Sequence, residues 1–216
     1  MARTPSMSAR IAETLEERIL VGDLLPAARI RQESIAEEFG VSRLPIREAL
    51  RILESRGLVR LVASTGAWVS SLDLAECREI YFLRERLEPF LLGEAVEAHS
   101  EESLNELEWL AVRMREVVTV SEFVNLDRQF HLTSFQPAAM PRLLTMAEQQ
   151  WNTTQHYRRA FVQLIGLENL EETHQEHLLI TSALRRRDRR SAEDLFALHI
   201  RKTRMSLERH PEIFHT

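Results

Sequence analysis

The sequence predicts a mostly α protein, an N-terminal winged helix-turn-helix followed by an all-helical antiparallel bundle. Three observations predict it. A glycine-closed turn at Gly40 separates two short amphipathic stretches. Two β-rich runs follow, joined across Ser64-Thr65-Gly66. From Leu72 onward glycine nearly disappears, leaving Gly93 and Gly166, and apolar residues recur at helical spacing without strand-like alternation.

The first stretch, Arg31 to Phe39, places Ile35, Ala36 and Phe39 on one face, and Gly40 suits the left-handed residue that ends a helix. In the second, Ile46, Ala49, Leu50 and Leu53 fall at i, i+3, i+4 and i+7, a single buried stripe. Ser42 suits its N-cap, and Pro45 is tolerated in a first turn whose N–H groups have no intrahelical partner. Arg43, Arg47 and Arg51 are spaced by four and line the flank of that stripe. Their forked guanidiniums match guanine edges and phosphates, the requirement for a helix lying in the DNA major groove. Gly57 breaks the pattern, Leu58–Val62 reads as a strand, and Ala67–Val69 as its return. Residues 1–72 therefore form the expected winged domain and 73–216 the helical one. Six helices are expected in the second, near 73–98, 101–118, 120–135, 138–163, 167–187 and 189–209, with breaks at Pro137 and Pro141, around Gly166, and at Arg187-Asp188.

The net charge of −5 disfavours a polyanion partner until it is divided along the chain. Residues 1–72 carry ten arginines against nine acids, and residues 73–216 carry 18 basic against 24 acidic residues, −6 in all. Between Ser42 and Arg60 five arginines face two acids, so the positive potential is local. The single cysteine, Cys77, excludes an internal disulfide, and no apolar run approaches the roughly 20 residues that span a bilayer. A cytoplasmic protein without membrane association is expected.

Polar residues recur on apolar helix faces in the bundle. Asp127 and His131 share a side with Phe123, Leu126 and Phe130. Leu170, His174, His177, Thr181 and Leu184 share a stripe, and His199 completes the set Ala192, Leu195, Phe196. Burying such groups without partners costs a few kcal/mol each. Either each histidine is satisfied locally by acids or backbone, or several share a divalent metal ion, for which imidazole and carboxylate suit Zn²⁺, Ni²⁺, Mn²⁺ or Fe²⁺.

The segment Val41-Ser42-Arg43-Leu44-Pro45-Ile46-Arg47-Glu48-Ala49-Leu50, with Leu53 to Val59 and the Gly66-Ala67-Trp68-Val69 wing, resembles the winged helix of the GntR family of bacterial transcription regulators. The resemblance runs from about Arg10 to Val69. It implies operator contact through Arg43 and Arg47 and close approach of Gly66 to DNA; Arg31, Ser42, Leu44 and Arg51 complete the expected DNA-facing set. The chain departs from the family at Leu44, where threonine is usual, so a hydroxyl contact is either missing or replaced by an apolar contact to a thymine methyl. Residues 73–209 resemble the FCD effector domain of the fatty-acid-regulator-like subfamily, a bundle of six or seven helices. That resemblance implies a buried metal held by Asp127, His131, His177 and His199, and it includes Arg84 and Glu88 in an R-x-x-L-E pattern. His174, one turn before His177, could replace or assist it. A second departure is Phe135-Gln136-Pro137-Ala138-Ala139-Met140, where relatives carry a small-Gly-Asn segment.

The function implied is sequence-specific transcription regulation, repression more than activation, by a homodimer reading an inverted-repeat operator in double-stranded DNA. A small organic acid bound beside the metal would control it, with Arg84 as the fixed cation and Arg158 or Arg159 as a second contact. The competing reading of Arg84 is a salt bridge to Glu88, and that of Arg158 a solvated surface pair. Two rivals remain: a DNA-binding dimer with no small-molecule input, and a metal-dependent hydrolase. No His-Glu-x-x-His, nucleophile elbow or phosphate loop is present, so no enzyme is expected.

Overall fold

The computed structural model describes residues 5–63 and 65–214. Ser64, expected in the wing turn, lies outside them, as do residues 1–4 and 215–216 at the ends of the two expected domains. The backbone divides into two compact units. The first runs to Leu72 and takes in Asn152–His156; the second comprises Asp73–Trp151 and the chain from Tyr157 on.

The first unit begins with α1 (Met7–Val21), capped by Ser6, whose hydroxyl accepts from the Ala9 amide at 3.2 Å. Its buried face, Ile11, Ala12 and Leu15, packs on α3 (Arg43–Ser55). Between them lie β1 (Arg29–Ile30) and α2 (Gln32–Phe39). Gly40 ends α2 at φ 63°, donating its amide to the Ala36 and Glu37 carbonyls; a side chain would be strained there. The predicted stripe on α3 is realised, with Ile46, Ala49, Leu50 and Leu53 all buried. Ser42 does stand at the N-cap position, but its hydroxyl makes no capping hydrogen bond, contrary to expectation.

The sheet has the order β1-β3-β2, with β2 (Val59–Val62) and β1 both antiparallel to β3 (Gly66–Val69). Trp68 stands opposite Arg29 on one side and Arg60 on the other. One core holds the unit together, combining the buried faces of α1 and α3 with Ile30, Leu58, Val59, Ala67 and Val69.

The second unit is the expected helical bundle. Its first helix, α4 (Leu74–Ala95), starts at a reciprocal capping box: Asp73 accepts from the Glu76 amide at 2.8 Å and Glu76 from the Asp73 amide at 2.9 Å. After it come α5 (Glu101–Arg113), α6 (Val120–Phe135), α7 (Pro141–Ile165), α8 (Glu171–Arg185) and α9 (Arg189–Glu208). Antiparallel packing of α4 along α9 is tied by Arg189 to Glu94 at 2.5 Å, Arg204 to Glu85 at 2.5 Å and Arg78 to Glu208 at 3.2 Å. Helix α5 packs on both α6 and α8, and α8 on α9.

Three of the boundaries that differ from expectation do so for local reasons. Helix α5 stops at Arg113, because the β-branched run Val117-Val118-Thr119 favours extended backbone and Thr119 caps α6. Helix α7 starts at Pro141, after a 3₁₀ turn over Gln136–Ala138 and a left-handed Ala139. Helix α8 starts at Glu171, after a second 3₁₀ turn at Leu167–Asn169. Among the described residues no helix is long and apolar enough to cross a membrane.

A candidate DNA-reading face and a candidate metal centre

On the winged unit, α3 buries one flank and presents the other. Arg43, Arg47 and Arg51 are exposed, and with Gln32, Leu61 and Gly66 they line a groove of about 480 Å³ between α3 and the wing. Leu44 stands 65 % exposed at the start of α3, next to an exposed Ser42, while Arg31 is exposed at the N-cap of α2. These three lie outside the groove. Arg43 is paired with Glu33 of α2 at 3.1 Å, a partner absent from the sequence reading; both side chains are more than half exposed, so solvent screens the pair. Arg29 was also unanticipated. It donates to the Thr65 carbonyl at 3.0 Å and lies 5.7 Å from the Trp68 ring centroid, fastening the wing strand beside its turn.

In the bundle, three helices converge on one point. Helix α6 brings Asp127 and His131, one turn apart; α8 brings His177 and α9 His199. All four are at most 3 % exposed, and each offers one donor atom such that all four atoms lie within 4.8 Å of one another. His131 Nε2 is 3.1 Å from His199 Nε2, and Asp127 Oδ1 is 3.3 Å from His177 Nε2 and 3.9 Å from His131 Nε2.

The outer nitrogens decide what the inner ones can do. His131 Nδ1 lies 3.4 Å from Glu88 Oε2, and His199 Nδ1 2.7 Å from Glu176 Oε2. Burial would raise both glutamates, but Arg84 and His131 hold Glu88 down to about 2, and His199 and Lys202 hold Glu176 to about 2. An ionised carboxylate only accepts, so each imidazole carries its proton on Nδ1. Both Nε2 atoms are then lone-pair acceptors, facing each other at 3.1 Å with no proton between them. Among the described residues, no hydrogen bond reaches either ring nitrogen of His177 or Oδ1 of Asp127.

Burial also keeps the rings neutral, lowering His131, depressing His177 well below 6.5 and taking His199 to about 3. Neutral imidazoles with converging lone pairs, beside an orphaned carboxylate oxygen, fit a divalent cation. Two imidazoles on a tetrahedral ion, with metal–nitrogen bonds of about 2.0–2.1 Å, place their nitrogens roughly 3.3 Å apart, close to the separation found.

A cationic wall adjoins this cluster. Arg84 is buried, its Nε 2.5 Å from Glu88 Oε1, and Arg158 forms an ion pair with Asp127. The two guanidiniums lie 4.2 and 4.1 Å from the Trp151 ring centroid, and the buried Tyr81 hydroxyl has no hydrogen-bond partner.

The comparisons with known proteins identify the two domains. Residues 79–202 match the FCD domain, and residues 7–69 match the bacterial regulatory proteins of the gntR family. The chain belongs to the GntR family, with an FCD domain. It is 26 % identical over 195 residues to the HTH-type transcriptional regulator McbR of Escherichia coli, covering 89 % of this chain and 88 % of that one. It is 29 % identical over 194 residues to the gluconate operon transcriptional repressor of Bacillus subtilis, covering 85 % and 78 %. The solved structure of E. coli McbR/YncC superposes with a TM-score of 0.84 at 24 % identity, covering 96 % of this chain and 99 % of that one.

For this GntR-family regulator, both halves of the expected fold stand: a winged helix-turn-helix and an all-helical FCD bundle. The structure gathers Asp127, His131, His177 and His199 and leaves His174 outside the group, edge-on to Phe123 at 5.8 Å between ring centroids. The competing reading of Arg84, a salt bridge to Glu88, is realised inside the core. The surface-pair reading of Arg158 is corrected: the side chain is 9 % exposed and bound to the buried Asp127. Glu176 escaped the sequence reading altogether. Its pairing with His199 joins different helices, and its only sequence signal is its position beside His177.

Proposed function

We propose that this GntR-family transcriptional regulator is a homodimeric repressor whose operator binding responds to a small carboxylate held beside a metal in the FCD bundle. The observation that carries it is the pair of opposed Nε2 lone pairs, 3.1 Å apart and backed by ionised glutamates. Asp127, His131, His177 and His199 would hold Zn²⁺, Ni²⁺, Mn²⁺ or Fe²⁺. An ion that accepts five or six ligands would supply positive charge and, beyond these four residues, a coordination position for a carboxylate.

The chain's own residues supply the rest. Arg84 and Arg158 flank Trp151 as fixed cations, and an arriving carboxylate competes with Asp127 for Arg158. Residues 1–72 form the DNA-binding domain, in which Arg43, Arg47 and Arg51 enter the major groove with Gly66 of the wing beside it, supported by Arg31, Ser42 and Leu44. Residues 73–216 form the effector and dimerisation domain. A single winged helix reads too few base pairs, so two copies on an inverted repeat supply specificity. The effector acts only through its differential affinity for DNA-competent and DNA-incompetent arrangements. The repressor names among relatives favour repression.

The test is metal analysis of the purified protein, with operator titrations across small organic acids in the presence and absence of chelator. Expected are stoichiometric metal and at least one acid that weakens operator binding only in metal-loaded protein. Operator affinity indifferent to every acid and to chelator would refute the effector half of the reading.

A further inference from the structure

The two outer carboxylates of the histidine cluster end differently. Glu88 meets Arg84, and both side chains are at most 1 % exposed. Glu176, 14 % exposed, meets Lys202, which is 32 % exposed and is the one lysine in the chain. The line runs outward from His199 Nδ1 to Glu176 Oε2 at 2.7 Å, then from Glu176 Oε1 to Lys202 Nζ at 2.5 Å, with Glu172 as a further partner of the lysine. Residues 172 and 176 are one turn apart on α8, and 199 and 202 on α9, so two adjacent helices build the line.

We propose that Glu176 and Lys202 are positioning residues of the metal centre with opposite effects: Glu176 strengthens ion binding through His199, and the charge on Lys202 restrains it. This inference rests on the metal reading above. Accepting the Nδ1 proton fixes the imidazole tautomer and rotation, and it raises the basicity of Nε2. Removing the carboxylate loses all three. Lys202 draws charge from the same carboxylate that His199 uses, and its own positive charge opposes a cation held at the far nitrogen of that ring. A neutral residue at 202 leaves Glu176 with His199 as its partner and lifts the repulsion. Ion affinity is thereby adjustable from the protein surface, at a position that reaches solvent.

The opposite signs make the test sharp. Full-length wild type, E176Q, K202M and K202R are stripped with chelator, and Co²⁺ uptake is followed by its visible absorption and Zn²⁺ affinity by competition with a chromophoric chelator. E176Q should bind about 10–100-fold more weakly. K202M should bind roughly 3–10-fold more tightly, the size expected for one unit charge seen through a partly solvated path. K202R should match wild type. If both positions served only packing, E176Q and K202M would weaken binding together, and that result overturns the inference. Equal affinities across the set overturn it too. If wild type takes up neither ion, the metal reading itself falls and the inference with it. Should E176Q fail to fold, the direction of the K202M shift decides alone.

Discussion

Replacing Asp127 by alanine in metal-free protein isolates what its carboxylate does for Arg158. The guanidinium is 9 % exposed, its carboxylate partner 1 %, and the like charge of Arg84 lies across Trp151. Removing one member of a buried ion pair leaves the other uncompensated, at a cost of about 3–5 kcal/mol. Removing both and filling the space with an apolar side chain is often neutral. D127A should therefore lose about 3–5 kcal/mol, R158M a similar amount, and D127A/R158M little more than either alone. The coupling between the two sites would then be about 2 kcal/mol or more. The assay is urea unfolding in excess chelator, followed by far-ultraviolet circular dichroism, which the helical bundle dominates. His177→Ala is the contrast: it removes an equally buried side chain of the same cluster whose nitrogens have no hydrogen-bond partner among the described residues, so no charge is stranded. A D127A penalty below about 1 kcal/mol, or double-variant losses that simply add, would refute this account of the pair.

Other outcomes are as specific. Arg47→Ala should abolish specific operator binding with metal content unchanged, and lower the slope of log affinity against log salt by about one where phosphate is the partner, measured by anisotropy over a salt series. The Cys77 thiol is buried and pushed up to about 12, chiefly by loss of hydration, so iodoacetamide at pH 8 should leave it unmodified in folded protein and alkylate it in denaturant, read by mass spectrometry. His99 is neutral and buried, accepting at Nδ1 from Ser103 at 2.9 Å and donating from Nε2 to the Ser134 carbonyl at 2.8 Å. Burial holds it below 6.5, so well above pH 6.5 neither state is protonated, and as pH falls through 6.5 the unfolded chain takes the proton first and stability is lost. The stability gap between wild type and His99→Gln should therefore narrow from pH 7.5 to pH 5; a constant gap would mean that His99 is not held neutral.

Features confined to one helix were legible in the sequence. The α3 stripe and the Asp127–His131 pair follow from a 3.6-residue period acting on local chain, and the glycine at 40 from the left-handed geometry of a helix end. Strand β1 was not legible, since two residues carry no alternation and gain their conformation from Trp68 and Ala67 far along the chain. Arg158 was misread because consecutive residues Tyr157, Arg158 and Arg159 are all buried. A helix enclosed on most sides has no polar face from which periodicity could locate its interior. The pairing of His199 with Glu176 depends on two helices meeting in a particular register, which no local pattern encodes.

The uneven charge of the chain bears on how the regulator finds its operator. The winged unit carries barely more arginine than acid, and the bundle is −6. Away from the face of α3, a nearby duplex meets net repulsion. If α3 is the reading face, as proposed, residence on unrelated sequence would be brief, since non-specific grip is mostly electrostatic and the positive charge is concentrated between Ser42 and Arg60. Search by such a protein would then proceed more by hopping than by prolonged sliding. Occupancy of the operator then depends on the fit of α3, with little help from attraction to DNA in bulk.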